Sequence, residues 1–190
     1  MGEMRTGFKR AAMVLAGLCT FGMLQAGAVV LDLSSEWYLG FIDAGIPSSP
    51  ANETSYINEL IQLAPGTGPV TIGSQDYTRS LNEFTSLPTA VVDDAVKNDD
   101  AVNTGSFGSG YTYLIAKYDG PNYGSEVWNV SGLTGTFTLP QALGRPGDHR
   151  TFDISHWSLY NVNRVPDGGM TVAMLGFGIL GLLALRKRLG

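Results

Sequence analysis

Apolar residues are distributed along this chain in three ways, and each way predicts a different kind of element. At the two ends they run almost without interruption, from Ala11 to Leu24 and from Met170 to Leu185. Between Pro47 and Pro65 they recur at helical spacing, with Tyr56, Ile57, Leu60, Ile61 and Ala64 on one side. Ser49 offers an N-cap oxygen there, Pro50 fits the first helical position, and Pro65-Gly66 is a stop signal. Elsewhere the period falls to two. Val29 to Leu33 suits a first strand, and Gly110 to Tyr118 is rich in aromatic and β-branched residues before the turn Asp119-Gly120-Pro121-Asn122. Glu126 to Val130 follows as a strand, and Gly135 to Leu139 alternates until Pro140. Asp153 to Tyr160 alternates as well, with Ile154, His156, Ser158 and Tyr160 on one face and Ser155, Trp157 and Leu159 on the other.

Short strands, Gly-rich turns and one helix predict a mainly β domain over residues 29–164, an antiparallel β-sandwich with one helix. About 136 residues suit a single domain. This domain lies between two targeting segments. Arg5, Lys9 and Arg10 ahead of the first apolar run, and Ala26-Gly27-Ala28 behind it, make residues 1–28 a signal peptide cleaved after Ala28. An uncleaved anchor fits less well, because about 14 apolar residues fall short of the ~20 that span a bilayer. The second run, residues 170–185, has sixteen residues of which only Thr171 is polar. As a helix it is about 24 Å long, against a hydrocarbon core of roughly 30 Å. Arg186, Lys187 and Arg188 just beyond it can snorkel, and they hold the tail (residues 186–190) in the cytoplasm. The predicted topology is a transmembrane helix with the body outside.

Charge narrows the choice of partners. Residues 29–165 hold 6 basic and 15 acidic residues, a net of −9, which argues against nucleic acid and anionic lipid as partners of the body. The one cysteine, Cys19, lies in the first apolar run, so a chain cleaved after Ala28 has no thiol for disulfides, metal or nucleophilic chemistry. Leu18 beside Cys19 departs from the small residue that a lipoprotein signal needs. Gly176-Phe177-Gly178-Ile179-Leu180-Gly181 has the spacing of a dinucleotide-binding turn, but inside an apolar span it serves close helix packing.

Directly before the second apolar run stands Val165-Pro166-Asp167-Gly168-Gly169. Proline without an N–H and two glycines without bulk favour an extended, accessible neck. Neck, apolar stretch and basic tail in this order, over residues 165–190, resemble the PEP-CTERM sorting domains, most closely the variant that begins Val-Pro-Asp-Ser-Gly. Gly168 stands where that variant has serine. Related tails also carry the name of an ice-binding protein C-terminal domain, a label that concerns the tail alone. The resemblance implies export, a transient membrane hold, and processing by an exosortase-type membrane transpeptidase after signal peptidase has acted. It implies delivery to the outer envelope, cell surface or extracellular matrix.

The body offers little chemistry by its sequence. His149 lies in a turn, and His156 sits in a strand beside Trp157, where a structural histidine is expected rather than a general base. No His, Asp or Glu spacing matches a zinc site, so neither metal nor other cofactor is expected. Asp93-Asp94 and Asp99-Asp100 could offer carboxylates to calcium but lack the register of a calcium loop. Tyr111, Tyr113, Tyr118, Tyr123 and Trp128 could form a sugar-stacking face, or a core. The expectation is a structural or adhesive surface protein without enzymatic activity. A secreted polysaccharide-binding module, calcium-assisted, is the alternative.

Overall fold

A computed structural model describes residues 27–43, 47–108, 110–119, 122–144 and 149–162. The first apolar run (11–24), the neck, the apolar stretch 170–185 and the basic tail lie outside them. Among the described residues no helix is long and apolar enough to cross a membrane.

Among the described residues, β1 (Val29–Val30) and β2 (Tyr38–Asp43) come first, then the one helix α1 (Pro50–Leu60). There follow β3 (Val70–Ile72), β4 (Gln75–Arg79), β5 (Ala90–Asn98) and β6 (Thr104–Ser106). Next come β7 (Tyr113–Tyr118), β8 (Gly124–Asn129), β9 (Thr136–Thr138), β10 (Ala142–Gly144) and the long β11 (Thr151–Val162). The mainly β architecture with one helix is therefore as expected. One eight-stranded, curled sheet runs β10-β11-β7-β8-β2-β4-β3, with β5 added to β11, and its pairings are all antiparallel. A three-stranded sheet, β1-β9-β6, accompanies it. Antiparallel pairing fails at one place: β1 runs parallel to β9, with Val29 opposite Phe137.

Alternation along the central strands divides the core between two faces. On one face Leu114, Tyr118, Trp128, Trp157 and Leu159 pack with Phe107, Phe137 and Leu31 from the small sheet and its flanks. Phe137 meets Trp157 edge-on at 5.0 Å between ring centroids. On the other face Tyr113, Ile115, Val127 and Tyr160 receive Tyr56, Ile57 and Leu60 of α1. The helix starts as its sequence predicts, with the Ser49 side chain accepting from the Asn52 N–H and Pro50 opening the first turn. It ends at Leu60, before Ala64, because the next amides close tighter turns (Gln62 N–H to Glu59 C=O at 3.2 Å, Leu63 N–H to Leu60 C=O at 3.3 Å). After β7 the Asn122 N–H donates to the Asp119 carbonyl at 3.0 Å.

Candidate functional site

Two ideas drawn from the sequence meet the core directly. Tyr113, Tyr118, Tyr123 and Trp128 are all buried, so these rings form core rather than a stacking platform. Tyr111 is half-buried. The tyrosines stand on both faces of a central strand pair, β7 and β8, which is covered on each side. Asp93 and Asp94 fall within β5, and Asp99 pairs with Lys97 at 2.8 Å on the surface. Among the described residues no group of three His, Cys, Asp or Glu is placed to hold a metal. His149 is exposed.

His156 is buried, and its partner is a residue that sequence reasoning missed. Its Nε2 lies 2.8 Å from Oε1 of Glu53, and the Tyr160 hydroxyl donates to Oε2 of the same carboxylate at 2.7 Å. Glu53 is 1 % exposed, in the first turn of α1. Lys117 lies directly across from His156 in the β7–β11 ladder and is buried too. Burial pushes the Lys117 amine down, while the Glu53 charge pulls it back up. A signal was present: Glu53 precedes Ile57 by four residues and Tyr56 by three, which places it on the apolar stripe. A carboxylate on that stripe needs a partner in the sheet.

The ladder also corrects one facing. Ile154 does not share a face with His156 and Tyr160, because the register shifts between Ile154 and His156. Ile154 instead packs with Trp157 and Leu159. An irregularity of this kind turns every later side chain over, which alternation alone cannot reveal. Ser155 is exposed beside buried His156, as neighbours on a strand should be.

A second carboxyl is enclosed on the other face. Glu126 of β8 accepts from the Tyr38 hydroxyl at 2.5 Å and from the Tyr123 hydroxyl at 2.7 Å. Burial raises its pKa to about 7, against the opposing pull of these two hydrogen bonds. Burial and the Glu126 charge push the Tyr38 hydroxyl well above the ordinary phenol range. Such a pKa would suit a general base, yet Glu126 is 1 % exposed and walled by aromatic rings. Both carboxyl clusters thus tie elements together within a closed core: Glu53 joins α1 to β11, and Glu126 joins β8 to β2 and to the turn that precedes it.

Among the described residues there are also open depressions. One of about 500 Å³ lies among Ile61, Leu63, Arg79, Phe84 and Leu87. Arg79 is buried there, but its guanidinium already donates to the Leu39 carbonyl at 2.7 Å, the Ser80 hydroxyl at 2.8 Å and the Asn82 carbonyl at 3.2 Å.

Of the sequence-predicted sorting residues, only Ala28 of the cleavage pair is described; it is exposed, just before β1. Ala26, Val165 to Gly169 and Arg186 to Arg188 lie outside the described residues. Comparison with known proteins speaks to that region. Residues 164–189 match the family model described as the VPDSG-CTERM motif. The chain therefore carries a PEP-CTERM-type exosortase sorting signal at these residues. The signal is that of a secreted protein bound for the surface or the extracellular space. No curated protein and no solved structure matches the chain.

Proposed function

We propose that this chain is a structural or adhesive protein of the cell surface or extracellular matrix, delivered by a two-ended export route. Signal peptidase cuts after Ala28, and residues 170–185 then hold the body outside the membrane. An exosortase-type transpeptidase cuts within Val165 to Gly169 and frees the body from that hold. The carrying observation is the sorting-motif match over residues 164–189, to which the fold adds two carboxyl clusters, at Glu53 and Glu126, enclosed within the body. The body works without catalysis, metal or cofactor in this reading. The test is fractionation in a host that makes the processing enzyme. Wild type is expected in the outer envelope or medium, and Pro166→Ala with Asp167→Ala is expected to stay in the inner-membrane fraction. Equal distribution of the two proteins would refute the reading.

A further inference from the structure

Arg79 is a buried cation to which the fold gives no counter-charge. It ends β4 and is 2 % exposed, and among the described residues no carboxylate pairs with it. Burial pushes its guanidinium down from the ordinary arginine value, and the group that pulls the other way is Tyr113, not a carboxylate. Buried charges are normally paired, because an unpaired one is costly.

Hydrogen bonds serve only part of this guanidinium. Nη1 donates to the Leu39 carbonyl and the Ser80 hydroxyl, and Nη2 to the Asn82 carbonyl. Nη2 carries two N–H groups, so one of them is left over. The Nε–H is buried and has no acceptor. Nε and Nη2 share the edge of the planar fork that takes a carboxylate through two parallel N–H bonds. The bonds to Leu39, Ser80 and Asn82 meanwhile hold the fork in place, as a preorganised anion site requires.

Arg79 lines the depression of about 500 Å³, a volume within the range of small-ligand pockets. Ile61 and Leu63, which follow α1, and Phe84 and Leu87, between β4 and β5, give it half-buried apolar walls. The Phe84 ring stands 5.2 Å from the guanidinium carbon, and its movement costs Arg79 no hydrogen bond. Glu83 at the rim is exposed and does not pair with Arg79. We propose that this depression binds a small monocarboxylate with an apolar body: the carboxylate meets the Nε–Nη2 edge of Arg79, and the body lies against Ile61, Leu63, Phe84 and Leu87. Apolar walls with one fixed charged group are the composition such a ligand needs. Binding here is independent of the sorting reading above.

The test titrates the full chain, in detergent, with phenylacetate and with its uncharged amide, phenylacetamide, while heteronuclear NMR follows the Arg79 Nε–H signal. Phenylacetate is expected to shift that signal saturably. The amide is expected to bind about tenfold more weakly or worse, as loss of charge-assisted hydrogen bonds implies. Arg79→Lys keeps the charge but not the fork, and should weaken phenylacetate by a similar factor. Glu83→Gln lies outside the hydrogen bonds of Arg79 and removes a like charge from the rim, so it should tighten phenylacetate about two- to fivefold. An Nε–H signal that phenylacetate leaves unmoved overturns the proposal. Equal binding of acid and amide also overturns it, by showing an apolar hollow in which Arg79 is purely structural. Loss of binding in Glu83→Gln does the same. Should Arg79→Lys fail to fold, the signal, the amide and Glu83→Gln decide without it.

Discussion

At the scale of single residues, two buried carboxyls decide how this core responds to mutation and to pH. Glu53 is held by His156 and Tyr160 inside the interface between helix and sheet. Removing one partner of such a buried pair costs ~3–5 kcal/mol, so Glu53→Ala should lower stability by about that much in urea unfolding. A loss below ~1 kcal/mol would mean that the cluster is not what clamps α1. Glu126 works with the opposite sign to an ordinary paired carboxylate. Its folded pKa, about 7, exceeds that of an exposed glutamate, so between roughly pH 4.5 and 7 the folded chain holds a proton that the unfolded chain has lost. Its stabilising contribution is full below that window and is lost as pH rises through it. Glu126→Gln should remove up to ~3 kcal/mol of this fall in stability between pH 4.5 and 7.5. Parallel pH profiles for wild type and variant would contradict the assignment. Glu53 was readable from its place on the helical stripe. Glu126 was not, because nothing in Ser125-Glu126-Val127 says that both faces of β8 are covered.

At the scale of elements, the sequence was clearest where a strong local signal met little tertiary competition. Ser49 and Pro50 fix the start of α1, and the aromatic runs identify β7 and β8. β2, β4 and β5 were not legible as strands. β4 is Gln75-Asp76-Tyr77-Thr78-Arg79, and it forms because β2 and β3 pair with it, not through an apolar run of its own. Facing along β11 was read correctly from Ser155 to Tyr160 and failed at Ile154, ahead of the register shift. The small sheet depends on a glycine. A Cβ on Gly105 of β6 would come within 2.5 Å of Phe137 Cζ and 2.6 Å of Trp157 Cζ2. Gly105→Ala should therefore cost ~1–3 kcal/mol, the usual range for overpacking, and should perturb the near-ultraviolet circular dichroism of Trp157. A variant of wild-type stability and spectrum would show that the small sheet yields freely.

At the scale of the whole molecule, destination was far more legible than action. Neck, apolar stretch and basic tail form a contiguous pattern, and residues 164–189 match a sorting-motif model. A pattern of this kind is legible in one dimension because its parts are contiguous in sequence. The body's behaviour depends on contacts between residues as far apart as Glu53 and His156, which spacing cannot supply. Two carboxyl clusters, at Glu53 and Glu126, face inward, and the net charge of −9 over residues 29–165 disfavours contact with anionic surfaces. The central claim is that both ends are removed after export. Intact-mass measurement of the mature chain, from a host with signal peptidase and an exosortase-type enzyme, tests it most directly. The account predicts a chain that begins at Val29 and ends within Val165 to Gly169, without Arg186, Lys187 and Arg188. A mature chain that still ends at Gly190 would contradict it and leave residues 170–185 as a permanent anchor.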